Sequence, residues 1–110
     1  MKNLSDRLKK VEILEQEYCL AVSNNVIDGI EEIVGDVKKL PKNFSLTFRQ
    51  SKDIILLLMN EGVKLQNFIN KTKEPLLDME EIDIILGYAN EEEIENLNKA
   101  INELLEQLNK

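Results

Sequence analysis

The stretch FSLTFRQSKDIILLLMNEGVKLQNFI, residues 44–69, decides how this chain is read. Phe44, Phe48, Ser51, Ile55, Leu58, Gly62, Leu65 and Ile69 recur at alternating steps of four and three, the spacing of one buried helix face. Ile54, Leu56, Leu57, Met59 and Val63 lie off that stripe, so the helix is apolar on more than one side. The pattern predicts a central helix covered on at least two faces. It begins between Ser45 and Thr47, where Thr47 and Gln50 fit a capping box. Ser51 and Gly62 on the main seam leave room for a neighbouring backbone to come close.

Downstream, residues 70–75 break the periodicity. Asp78 with Glu81 forms a second capping-box pattern, flanked by Leu77 and Ile82 as a hydrophobic staple. A short helix from Met79 to about Tyr88 follows. Asn90 then caps a last helix, with Glu91, Glu92 and Glu93 in its first turn, where the helix dipole favours acids. Upstream, residues 3–40 read as one long helix or two in tandem. Leu4, Leu8, Val11, Leu14, Tyr18, Val22, Val26, Ile30, Ile33, Val37 and Leu40 carry a stripe of threes and fours, with Asn3 as cap and Asp6 in the first turn. Ser23, Asn24 and Asn25 allow a kink, and Pro41 forces an end. The expected architecture is all-α: a single domain over residues 1–110, folded as an antiparallel bundle of three to four helices with short connections.

Composition fits that picture. Of 110 residues, 43% are hydrophobic but only 5% aromatic, so the core is built from Leu, Ile and Val. The abundance of Ile, Asn, Lys and Glu is what AT-rich codons produce, as in low-GC bacteria and their phages or plasmids. There is no His, which removes the commonest general base and metal ligand. Cys19 stands alone, so neither an internal disulfide nor a Cys-rich zinc site is available, and it reads as a core residue. The longest apolar run, residues 54–59, is far short of the ~20 residues of a spanning helix. Acids at residues 12, 15 and 17 interrupt any signal-peptide pattern. A cytoplasmic protein is expected.

Charge is unevenly spread. Residues 1–73 carry 12 Lys/Arg against 10 Asp/Glu, whereas residues 74–110 carry 2 against 11. A field of that kind repels nucleic acid and speeds association with cationic surfaces. Glu80, Glu81, Asp83, Glu91, Glu92 and Glu95 are therefore the candidate partner-binding residues. Glu80, Glu81 and Asp83 stand out, because a short helix needs only one capping box. The bland alternative is that these acids cap helices and keep the chain soluble. Lys38, Lys39, Lys42, Arg49 and Lys52 cluster around the first connector, but without interleaved aromatics they suit a helix C-terminus better than nucleic acid.

Carboxylates three or four apart, such as Asp28 with Glu31 and Glu32, Asp78 with Glu81, Glu80 with Asp83 and Glu92 with Glu95, raise the question of a metal. Helical nucleotide pyrophosphohydrolases hold magnesium with such pairs, pointed inward. Here the pairs lie off the apolar seams and their spacing does not match that arrangement. No catalytic residue, metal or cofactor is expected. Tyr88 to Glu92 spells Tyr-x-x-x-Glu, which resembles the export tag of helical-hairpin type VII secretion substrates. Those proteins also carry a Trp-x-Gly turn, and this chain has no Trp.

Ile94, Leu97, Ile101, Leu104 and Leu108 make a seam of threes and fours to the end of the chain. It either packs inside the chain or, widened by Leu105, meets a second copy as a homodimer. The expected function is binding: a small acidic regulatory or neutralising protein docking on a basic partner protein, in the manner of immunity proteins, antirepressors and phage-encoded inhibitors. The alternative is a structural or chaperone-like module that takes a partner helix along its apolar seams. The central-helix reading makes a direct prediction. Leu58→Ala leaves a cavity costing about 2–5 kcal/mol, so thermal unfolding must fall clearly below that of the parent; an unchanged melting temperature overturns Leu58 as a core residue.

Overall fold

The computed structural model describes residues 7–35 and 48–107. Two strands come first, β1 (Lys9–Ile13) and β2 (Gln16–Leu20), followed by α1 (Asn24–Val34), α2 (Phe48–Asn70), α3 (Met79–Tyr88) and α4 (Glu91–Gln107). The all-α expectation is thereby corrected. The protein is mostly helical, but where a helix through residues 9–20 was expected the chain forms an antiparallel β-hairpin. Expectations resting on Asn3, Leu4, Asp6, Val37, Leu40, Thr47 and Leu108, and on the connector at residues 41–45, lie outside the described residues.

Two periods fit the first segment, and the hairpin shows which one prevails. Val11 and Ile13 alternate with Lys10 and Glu12, and the β-branched pair is buried while the charged pair is exposed. Val11 faces Tyr18 and Lys9 faces Leu20 across the ladder, so Val11, Ile13, Tyr18 and Leu20 share one face. The turn is Leu14–Glu15, with φ of 53° and 64°. Two central residues at positive φ are what a type I′ hairpin demands, and Asn-Gly or Asp-Gly is its usual sequence. Leu and Glu carry no such signal and each costs about 1 kcal/mol there. A partner from elsewhere offsets this: the Leu14 N–H donates to Glu93 Oε2 at 2.7 Å.

Ser23, read as a helix-weakening residue, is instead the cap that starts α1. Its hydroxyl accepts from the Val26 N–H at 3.3 Å. The helix stops at Gly35, whose φ of 94° only glycine adopts readily and whose N–H donates to the Glu31 carbonyl at 2.8 Å. α2 is the central element. It packs against β2, α1 and α3, and buries Ile54, Ile55, Leu58, Met59 and Gly62. α4 packs on β1 and buries Leu97, Ala100, Ile101, Leu104 and Leu105.

Gly62 sets how closely α2 and the hairpin meet. A Cβ built there would collide with the Cys19 carbonyl oxygen and lie 2.9 Å from the Leu20 nitrogen. One turn earlier, the Leu58 carbonyl accepts the Ala21 N–H at 3.1 Å. Helix and strand therefore touch backbone to backbone, which any side chain at residue 62 would prevent.

α2 also organises the chain that follows it. Lys71 sits at φ 56° and the Thr72 N–H reaches back to the Asn67 carbonyl at 3.0 Å, a Schellman closure with Lys in place of Gly. Asn67 then holds both backbone groups of Glu74 at 3.0 Å each, and Asn60 holds both of Leu77 at 2.7 and 3.0 Å. Seven residues of helix rise about 10 Å and three extended residues span about the same, so the two amides match the returning linker like rungs.

The contrast between two glycines tests this packing. Gly62→Ala should cost about 3 kcal/mol or more, because the obstacle is backbone and cannot rotate away. Gly87→Ala, with nothing within 4 Å of its Cβ position, should stabilise by about 0.5–1 kcal/mol through helix propensity. Chemical denaturation of both variants decides it, and a benign Gly62→Ala removes the close contact from the account.

Candidate interaction face on the third and fourth helices

The acidic residues singled out by charge asymmetry divide into two groups. The first is occupied within the chain. Asp78 and Glu81 form the capping box of α3: the Glu81 N–H donates to Asp78 at 2.8 Å, and the Asp78 N–H donates to Glu81 at 3.4 Å. Asn90 and Glu93 do the same for α4, at 2.8 and 2.9 Å. Glu93 has a further task, since its second oxygen takes the Leu14 N–H of the hairpin turn. Asp83 pairs with Lys52 of α2 at 2.6 Å, beside a cavity of about 360 Å3 lined by Arg49, Lys52, Asp53, Met79 and Asp83. The trio Glu80, Glu81 and Asp83 is therefore split: Asp83 is neutralised by α2 and Glu81 is engaged in its cap.

The second group is Glu80, Glu91, Glu92 and Glu95, all exposed and in no ion pair or side-chain hydrogen bond among the described residues. Separately, α3 exposes two apolar side chains that the charge pattern did not reveal. Ile84 is 50% exposed and Tyr88 77% exposed, one helical turn apart on α3 and in line with Glu80. The signal was present in composition: residues 82, 84, 85, 86 and 88 are all apolar or aromatic, more than one face of a ten-residue helix can bury. Ile82 and Ile85 take the core side, leaving Ile84 and Tyr88 outward. Between Glu74 and Asn98 the sequence places no cation beside them.

The terminal seam lies elsewhere. Leu97, Ile101 and Leu104 are buried within the chain's own core, Ile94 is half-buried, and Leu108 is outside the described residues. A partner helix taken along that seam would require these side chains at the surface. At the far end of α4, Lys9 of β1 pairs with Glu103 at 2.8 Å, and this hydrogen bond and charge hold the Glu103 carboxyl below its usual range.

Other chemistry-bearing groups have structural surroundings. Cys19 is a buried free thiol whose pKa burial pushes up. Burial, with the nearby charge of Glu81, likewise raises that of Tyr18, whose hydroxyl donates to Gln16 at 3.0 Å. Among the described residues no three His, Cys, Asp or Glu side chains converge as metal ligands, and no helix is long and apolar enough to cross a membrane. A second cavity, of about 480 Å3, opens between the start of α1 and the later turns of α2, lined by Arg7, Ser23, Ile27, Lys64, Leu65 and Phe68 among others. No family model, curated protein or solved structure matches the chain.

The two kinds of acid should separate on mutation. Glu93→Ala removes a capping interaction and leaves the Leu14 N–H without its carboxylate, so it should cost about 1–2 kcal/mol. Glu92→Ala, next to it but unpaired, should stay within about 0.5 kcal/mol. Equal denaturation midpoints for the two variants would remove Glu93 as the tie between hairpin and α4.

Proposed function

We propose that this protein acts by binding, as a small regulatory or neutralising module whose α3–α4 face docks on a basic surface of a partner protein. One observation carries the reading. Ile84 and Tyr88 stand exposed one turn apart on α3 in line with Glu80, which is in no ion pair among the described residues. An exposed tyrosine beside an aliphatic side chain is the kind of anchor that dominates interface energetics once water is excluded. Unpaired carboxylates raise the rate at which a cationic surface arrives and select against acidic ones. Glu80 on α3, with Glu91, Glu92 and Glu95 on α4, supplies the charge; Ile84 and Tyr88 supply the apolar contact. Glu81 and Asp83 contribute at the edge of this face, because their oxygens are already engaged.

The partner that fits is a protein presenting lysines or arginines around an apolar hollow. Steering and anchoring are separable in kinetics. The triple variant Glu80→Gln, Glu91→Gln, Glu92→Gln should slow association about tenfold at low salt and flatten its salt dependence, with dissociation little changed. Tyr88→Ala should instead speed dissociation, by roughly 30-fold for a loss near 2 kcal/mol. The partner is first captured from lysate at low and high salt, then measured by surface plasmon resonance against all three proteins, with circular dichroism as the check on folding. If both variants associate and dissociate at the parental rates, the acids are a solubility feature and the face is not the docking site.

A further inference from the structure

The cavity between the start of α1 and the later turns of α2 has a volume of about 480 Å3, within the range of small-molecule pockets. One wall is a single stripe of α2, because Glu61, Lys64, Leu65 and Phe68 recur at the i, i+3, i+4 and i+7 positions of one helix face. The facing wall is residues 21–24, which lead from β2 into α1, together with Ile27. The two walls are fastened to each other. Ala21 is buried, and its N–H donates to the Leu58 carbonyl of α2, one turn before Gly62. The space between them is therefore set by backbone contacts of the fold. Apolar side chains cover much of it: Val22, Ile27 and Leu65 are half-buried, while Phe68 is 72% exposed and offers aromatic surface for a bound group to cover.

Two cations line the same space. Arg7, just ahead of β1, and Lys64 of α2 are in no ion pair among the described residues, whereas Lys9, Lys10 and Lys52 each hold a carboxylate. Glu61 lines the cavity as well and pairs with neither, so two cations and one acid leave the site locally positive in a chain of net charge −7. We infer that this cavity binds a small amphipathic monocarboxylate, an aryl or branched alkyl group carrying one carboxylate. Arg7 and Lys64 take the carboxylate, Arg7 with two parallel N–H donors and Lys64 as a point charge. Val22, Ile27, Leu65 and Phe68 take the apolar body. Each alternative leaves part of the lining unmatched. An uncharged apolar molecule gives the two cations no partner, and an organic cation is repelled by both. A phosphate or a dicarboxylate brings a second negative charge towards Glu61, and inorganic anions leave the apolar wall wet.

The site uses no residue of the α3–α4 face, so it stands or falls apart from the docking proposed above. The probe is 3-phenylpropionate, titrated into the nitrogen-15-labelled wild-type protein and followed by amide chemical shifts. Saturable shifts with a Kd below about 1 mM are expected, centred on residues 21–27 and 61–68. 3-Phenylpropanol and 3-phenylpropylamine keep the ring but lose or reverse the charge, and acetate keeps the charge but loses the ring. Each should bind at least about tenfold more weakly. Arg7→Gln, Lys64→Gln and Phe68→Ser should each raise the Kd for 3-phenylpropionate about fivefold, and Glu61→Gln should lower it about twofold by removing the opposing charge. Arg7, Lys64 and Phe68 are exposed, so these variants keep the fold, which circular dichroism checks. The inference is overturned by an absence of saturable shifts up to about 10 mM, or by shifts centred on other residues. Equal affinity for 3-phenylpropanol overturns it too, as does parental affinity in both Arg7→Gln and Lys64→Gln.

Discussion

The contact between Gly62 and the backbone of Cys19 and Leu20 is the constraint on which the rest of the arrangement depends. It brings a helix and a strand to a separation that no side chain at residue 62 would tolerate, and the Ala21 N–H to Leu58 hydrogen bond fixes their relative position. With β2 held there, the hairpin's apolar face turns towards the core. α4 then closes over β1, tied by Lys9 to Glu103 at one end and by Leu14 to Glu93 at the other. Ten residues of helix and five of strand separate those two ties, and both spans come to about 15 Å. Two elements of different period can therefore run side by side with both ends fastened.

Several acids that give the chain its charge asymmetry are components of this framework. Glu81 and Glu93 complete capping boxes, Asp83 neutralises Lys52, and Glu103 neutralises Lys9. A charge count cannot distinguish these from Glu80, Glu91, Glu92 and Glu95, because the difference lies in what each carboxylate meets. Of the acids left unpaired among the described residues, Glu80 lies on α3 in line with the exposed Ile84 and Tyr88, and the docking surface proposed above rests on that alignment.

Helices α2, α3 and α4 were legible in advance because their signals are local. Seam spacing needs only neighbouring turns, and the Asp78–Glu81 and Asn90–Glu93 boxes each span four residues. The central placement of α2 followed from its apolar positions on more than one side, and its contacts with β2, α1 and α3 agree. The hairpin was not legible. Val11, Leu14, Tyr18 and Val22 satisfy a helical stripe, while Val11, Ile13, Tyr18 and Leu20 satisfy a strand face. The turn that would have arbitrated is Leu14–Glu15, which lacks the glycine, asparagine or aspartate that announces positive φ. Asn60 and Asn67 were equally silent: polar residues seven apart on a helix carry no mark of the linker they bind.

The sequence by itself thus determined where the later helices start, which faces they bury, that aliphatic side chains build the core, and that negative charge gathers in the last third. These follow from propensity, capping and hydrophobic spacing, all of which act over a few residues. Tertiary structure decided whether residues 9–20 became strand or helix, and which acids stayed unpaired. Those outcomes depend on groups far along the chain: Glu93, 79 residues beyond Leu14, supports an otherwise costly turn, and Glu103, 94 residues beyond Lys9, secures the other end of the strand. A local pattern that fits two periods equally well is settled by whichever backbone can be satisfied by distant partners, and here those partners favour the hairpin.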